Sequence, residues 1–224
     1  MRLRRARPAR PPGRRWWTGR DVGLAYSGIV AATALTLAVL PDGVHQRFVQ
    51  RASTNLDNLA HHPLFSLVAS VFVVSTAWSL YQLPFLVLAY GAAQRWVGRR
   101  ATIAVAVLGH VGSTLIVAAV LHEAVVHGHE DPNIAHVIDV GVSYAGVCLG
   151  AFVVSRVPRL LRPAYALGLV GYFAGPVLTE HTFTSLGHTC SLVLGFGAAR
   201  LVSRRRGRDT LAGSESESLE VGRD

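Results

Sequence analysis

Lysine is missing altogether, and all 22 basic residues are arginine. That absence reads as codon usage and points to no chemistry. Cysteine is almost as scarce: Cys148 and Cys190 both fall in apolar runs, and neither forms a CxxC or a Cys/His ligand spacing. A disulfide framework and structural zinc are thereby excluded. Charge is thin as well, at 16% of residues against 50% hydrophobic, and it avoids several long stretches. A soluble domain of 224 residues does not distribute its charges in this way, so the solvent around this chain is expected to be lipid. A formal net charge of +9 would suggest nucleic acid in a soluble protein. Here the arginines sit in short blocks between apolar runs, which is a topology signal, and no nucleic-acid partner is expected. Neither a solenoid-length repeat nor an inverted repeat is visible. No small-residue cleavage site follows the first apolar run, so residues 1–20 and that run read as an uncleaved first helix and not as a signal peptide.

What is present is a series of apolar runs. Crossing about 30 Å of hydrocarbon takes roughly 20 mostly apolar helical residues. Six runs qualify: residues 22–40, 76–93, 101–121, 134–154, 163–179 and 183–203. A polar outer stretch follows the first run, and residues 64–74 read as a short interfacial helix after it. The expected fold is an all-α membrane protein, a six-transmembrane-helix bundle over residues 22–203. An Arg-rich cytoplasmic segment at residues 1–21 precedes it, and a polar, disordered cytoplasmic tail at residues 204–224 follows.

Loop charge tests this arrangement, because short cytoplasmic loops carry excess arginine. With the N-terminus inside, the inner segments are RWVGRR at 95–100, SRVPRLLR at 155–162 and SRRRGR from 203, and all are basic. The outer segments are poorer in arginine and hold most of the acids that precede the tail. Both termini are therefore expected in the cytoplasm, with the plasma membrane as the location. Trp16, Trp17 and Trp96, beside arginines, read as interfacial anchors.

Polar residues inside spans are informative, since lipid makes them expensive unless they are paired or used. In the fourth run, Ser143, Gly146 and Gly150 follow at i, i+3 and i+7, one helical face. In the sixth, His188, Ser191 and Gly195 repeat the spacing. Small residues on facing stripes let helices approach closely. At about 1.5 Å per residue, Ser143 is expected roughly 15 Å below Asn133 and His188 roughly 12 Å below Glu180. Serine and imidazole at one depth make a Ser/His dyad, with His188 as general base and Ser143 as nucleophile. A serine near the start of its helix also has free backbone N–H groups close by to stabilise an oxyanion. The bland alternative is that Ser143 bonds its own helix and that the stripes only pack.

These residues resemble the rhomboid intramembrane serine proteases. Gly141, Val142 and Ser143 match the first three positions of a GxSG motif, and His188 with Gly195 matches an HxxGxxxG motif in part. The six-span core, the inside termini and a long first outer loop with a short apolar segment are also similar. The resemblance covers about residues 22–203 and implies a rhomboid-like bundle that cuts peptide bonds in or near transmembrane segments of other membrane proteins, with no metal or cofactor. The sequence departs from the pattern at Tyr144 and Ser191, where glycine is usual. Trp78 and Gln82 stand, by rough register, where a histidine and an asparagine help bind the oxyanion; Gln82 retains a donor. The superfamily also holds non-proteolytic members that bind and escort membrane clients.

Around the dyad, Gln82, Gly141, Asp139 and His110 are the candidate oxyanion or supporting residues. His110, in GHVGSTL, suits an interhelical hydrogen bond on a small-residue face. Asp139 either caps the fourth helix or bonds across to another span. A third reading, from another class, is a small transporter with His110, Asp139 and His188 as a proton path. His122, Glu123, His127, His129, Glu130, Glu180 and His181 gather in outer loops, but HGH has no helical ligand spacing, so a solvated loop is the favoured reading over zinc.

Overall fold

The computed structural model describes residues 19–180 and 182–221, and the side chains of all of these except 77, 78 and 205–221. Most of the Arg-rich N-terminal segment, with Trp16 and Trp17, therefore lies outside the described residues, as do His181 and the side chain of Trp78. The described residues form helices and turns without a strand. In chain order these are α1 (Asp21–Ala38), α2 (Asp42–Ala52), α3 (Leu56–His61), α4 (Pro63–Ser70), α5 (Leu83–Val97), α6 (Arg99–Val126), α7 (Val142–Phe152), α8 (Arg162–Phe173), α9 (Pro176–Thr179) and α10 (Phe183–Val221). Short 3₁₀ turns lie at Ala77–Gln82, Pro132–His136 and Val153–Arg156.

Among the described residues, α1 (18 residues) and α6 (28 residues) are by themselves long and apolar enough to cross a bilayer. Three expected spans are shorter or broken. The run at 76–93 starts as a 3₁₀ turn, and α5 begins only where Pro84 occupies its first turn, a place that tolerates a missing N–H. The run at 163–179 is interrupted after Phe173, because Pro176 cannot donate to the ladder and starts the separate four-residue α9. The run at 134–154 becomes helical only at Val142, with Gly141 as its N-cap. The depth count from Asn133 to Ser143 therefore fails, since residues 134–136 form only a 3₁₀ turn and residues 137–141 are not helical. Beyond residue 203, the backbone of α10 continues helical to Val221. Extending an existing helix needs no new nucleus.

Helix α7 sits at the centre, and every one of its residues except Ser143 is buried. It is reached from several sides through glycines. A Cβ at Gly109 of α6 would collide with Cys148, and one at Gly195 of α10 with the Cys148 carbonyl. From α5, Leu86 fills the notch left by Gly146, and Phe85 the one left by Gly150. Ser113 of α6 and Ser191 of α10 join at 2.7 Å, closing the third side of the α6/α7/α10 trio. Trp96, at the end of α5, packs on Phe152 of α7 at a 4.5 Å centroid distance, with the Arg156 guanidinium 5.9 Å from its ring. Helix α1 lies on α5, where Asp21 accepts from Gln94 at 2.6 Å and pairs with Arg99 at 2.9 Å.

The glycine contacts differ in what they allow. At Gly195 the obstacle is backbone, whereas a methyl added at Gly197, two residues on, would meet nothing within 4 Å. Gly195→Ala should lower stability in detergent by about 1–3 kcal/mol through overpacking. Gly197→Ala should leave it unchanged or raise it by up to about 1 kcal/mol through helix propensity. Thermal unfolding of the two purified variants checks this; equal midpoints would contradict the close approach of α10 to α7.

Candidate active site

The start of α7 is built by its surroundings more than by its own cap. Gly141, the N-cap, makes no side-chain bond, and its N–H donates instead to the Ser70 carbonyl of α4 at 3.1 Å. A Cβ at 141 would collide with the His110 ring, so glycine lets the histidine lie directly against the turn. His110, on α6 and 3% exposed, reaches the Leu67 carbonyl at 2.9 Å and the Ser70 hydroxyl at 3.3 Å. Because a carbonyl only accepts, Nε2 carries the proton. His110 thus ties α6 to α4 beside the entry to α7, and these bonds lead to α4 and not toward His188.

Two residues into α7, Ser143 Oγ lies 2.9 Å from Nε2 of His188, which comes from the second turn of α10. Both residues are half-buried and line one cleft of about 1180 Å³. Gln82 and Asp139 line the same cleft, whose walls are mainly apolar and aromatic, among them Phe85, Leu169, Tyr172 and Phe173. The His188 ring meets Phe173 at 5.3 Å and Tyr144 at 5.5 Å between centroids, both edge-on. Ser143 thus belongs to the first turn of α7, where backbone N–H groups have no partner within the helix.

A family model described as rhomboid-like protein matches residues 21–208. The chain belongs to that family. No curated protein and no solved structure matches it. It is a rhomboid-like membrane protein, and the matched region holds the whole of the cleft and both ends of the Ser143–His188 contact.

Asp139 does not cap α7. Its carboxylate accepts from the Tyr144 hydroxyl at 3.0 Å and from Thr54 Oγ1 at 3.3 Å. Its N–H donates to Ser53 Oγ at 2.8 Å, and its carbonyl accepts from the Thr54 N–H at 2.8 Å. The partners are thus in the segment between α2 and α3 and in α7 itself. Sequence reasoning does not find Ser53 and Thr54 as supports of this rhomboid-like site, nor the bond from Tyr144. The run Ser53, Thr54, Asn55 carried the signal, as three polar residues in a row that all become buried, with Asn55 capping α3 through the Asn58 N–H at 2.9 Å. Among the described residues no group of three or more His, Cys, Asp or Glu side chains is placed to hold a metal ion. His127 of the outer loop bonds the Glu123 carbonyl at 2.8 Å and lies 3.5 Å from its carboxylate.

His110→Leu should remove the α6–α4 tie and leave the Leu67 carbonyl and Ser70 hydroxyl only their own long bond of 3.4 Å to each other, costing about 1–3 kcal/mol. Reversible unfolding in mixed micelles measures this. An unchanged stability would show that the His110 bonds do not hold the entry to α7.

Proposed function

We propose that this rhomboid-like protein is an intramembrane serine endopeptidase, with Ser143 as nucleophile and His188 as general base. The observation that carries the reading is the 2.9 Å contact between Ser143 Oγ and His188 Nε2 in the cleft. With Nε2 unprotonated, the serine hydroxyl donates to it, and the imidazole takes that proton as Oγ adds to a peptide carbonyl carbon. The N–H groups of the first turn of α7 and the Gln82 carboxamide are the donors available to the oxyanion. Collapse of the tetrahedral adduct breaks the C–N bond, and His188 returns the proton to the leaving amine. Water then repeats the cycle on the acyl-serine, with the carboxylic product leaving and Ser143 restored.

The cleft volume supports a large substrate. At about 1180 Å³ it exceeds the roughly 300–1,000 Å³ usual for small-molecule sites. Its apolar and aromatic walls suit an unwound stretch of another protein's transmembrane segment. The bilayer arrangement we propose is six spans with both termini in the cytoplasm, in the plasma membrane. The short α5, α7 and α8 cross together with the non-helical backbone next to them, which is tolerated where it is buried in protein or lines a wet cavity. Arg95, Arg99 and Arg100, then Arg156, Arg159 and Arg162, mark the inner ends.

One feature favours a second reading, an inactive homologue that binds membrane clients. Trp78 has no imidazole to offer an oxyanion, and the sequence places it where rhomboid proteases use a histidine.

Purified protein in detergent should be phosphonylated at Ser143 by a fluorophosphonate probe, with loss of fluoride. Ser143→Ala should abolish labelling, and His188→Ala should slow it by about 10²–10⁴-fold. Wild-type protein that neither labels nor cleaves a model transmembrane substrate in liposomes would leave the client-binding reading in its place.

A further inference from the structure

Tyr144 directly follows the serine and is fully enclosed, with 0% exposure. Its ring occupies the space opposite Gly187 of α10, where any Cβ would collide with both ring and hydroxyl. From there its ring stands edge-on to the His188 imidazole, at 5.5 Å and 84°. Phe173 of α8 meets the same imidazole at 5.3 Å and 69°. Two aromatic rings from different helices thus bracket the base.

The two brackets are not held alike. The structure gives Phe173 aromatic neighbours, whereas Tyr144 has a polar anchor at its far end. Its hydroxyl donates to Asp139 Oδ1 at 3.0 Å, and Asp139 is 6% exposed. Oδ2 of that carboxylate accepts from Thr54 Oγ1, and the Asp139 main chain is bonded on both sides to Ser53 and Thr54. The ring beside His188 is therefore fixed at its base by α7 and at its tip by the segment between α2 and α3. A ring tied at both ends cannot tilt, and a neighbour packed on its face or edge loses the same freedom.

We propose that Tyr144 is a positioning residue: held at its hydroxyl by Asp139, it keeps the His188 imidazole turned so that Nε2 faces Ser143 Oγ. The inference rests on the reading of Ser143 as nucleophile and adds the device that keeps its base aligned. The bond to Asp139 matters here as a hydrogen bond and not as a charge.

The test measures phosphonylation of Ser143 by a fluorophosphonate in wild type, Tyr144→Phe, Asp139→Ala and Asp139→Asn, separating the maximal rate from the half-saturating probe concentration. Tyr144→Phe keeps the packed ring and loses the tether, so the maximal rate should fall about 10–100-fold for a base held slightly out of line. The half-saturating concentration should stay within about twofold, since binding is not touched. Asp139→Ala should fall similarly, and Asp139→Asn, which retains an oxygen able to accept from Tyr144, should recover most of the rate. Wild-type rates in Tyr144→Phe, or an Asp139→Asn as slow as Asp139→Ala, would overturn the proposal. Should Asp139→Ala not fold, Tyr144→Phe decides alone. A second readout needs no activity: ¹⁵N-histidine spectra, with His188 assigned from His188→Asn, should show its imidazole signals shifted or broadened in Tyr144→Phe. If wild type is never phosphonylated, the protease reading falls, and unchanged His188 signals in Tyr144→Phe would remove the positioning role as well.

Discussion

The arrangement depends on one close approach, that of α7 to α6 and α10. In lipid there is no hydrophobic gain in bringing two apolar helices together, so contact has to come from packing and interhelical hydrogen bonds. Glycine supplies it here. Gly109, Gly195 and Gly187 each stand where a methyl would strike a neighbouring helix, and the Ser113–Ser191 bond at 2.7 Å needs that same proximity. Each glycine loses roughly 0.5–1 kcal/mol of helix stability relative to alanine. The contacts on an almost entirely enclosed α7 offset that loss and leave Ser143 as its one residue that is not buried.

A helix that begins inside the protein leaves donors and acceptors to be satisfied at membrane depth, where each unpaired group is expensive. The molecule meets this with hydrogen bonds that link the turn before α7 to the end of α4 and to the segment between α2 and α3. Gly141 donates to the Ser70 carbonyl, Thr54 donates to the Asp139 carbonyl, and Asp139 donates to the Ser53 hydroxyl. These three segments thereby secure one another around the first turn of α7. The first-turn N–H groups of α7 are thus available beside the serine, a use of helix ends that a continuous span from residue 134 would not have offered.

The sequence was most legible where small residues repeat with a reactive side chain. Two stripes, Ser143 with Gly146 and Gly150, and His188 with Ser191 and Gly195, share a spacing, and the structure places their reactive ends 2.9 Å apart. It was least legible where apolar composition continues through non-helical backbone. Residues 137–140 are mostly apolar, as a helix in lipid would be, so periodicity could not tell that they leave the helix and pair with the segment between α2 and α3; the reading of Asp139 as a cap pointed to a boundary there. Pro176 breaks the run after α8, and the apolar composition on both sides of it conceals that break. Ser53 and Thr54 were invisible as site residues because their partner, Asp139, lies 85 or more positions away and nothing local announces the pairing.

The departures from the rhomboid motif also take on physical meaning. Where glycine is usual after the serine, Tyr144 adds a whole phenol, which ought to push α7 and α10 apart. It does not, because Gly187 on the facing helix yields the volume, and Asp139 accepts from the hydroxyl that burial would otherwise strand. Ser191, in the place of a second glycine, keeps the interface narrow by bonding the Gly187 carbonyl at 2.9 Å as well as Ser113. In both cases bulk or polarity gained on one helix is absorbed by its neighbour, and the Ser143–His188 distance stays within hydrogen-bond range. These two substitutions therefore carry little weight against the dyad. Trp78 is a different matter, since an indole can donate a hydrogen bond through Nε1 but cannot take up a proton and charge as an imidazole can, so this position is the departure that weighs against the proposed protease reading.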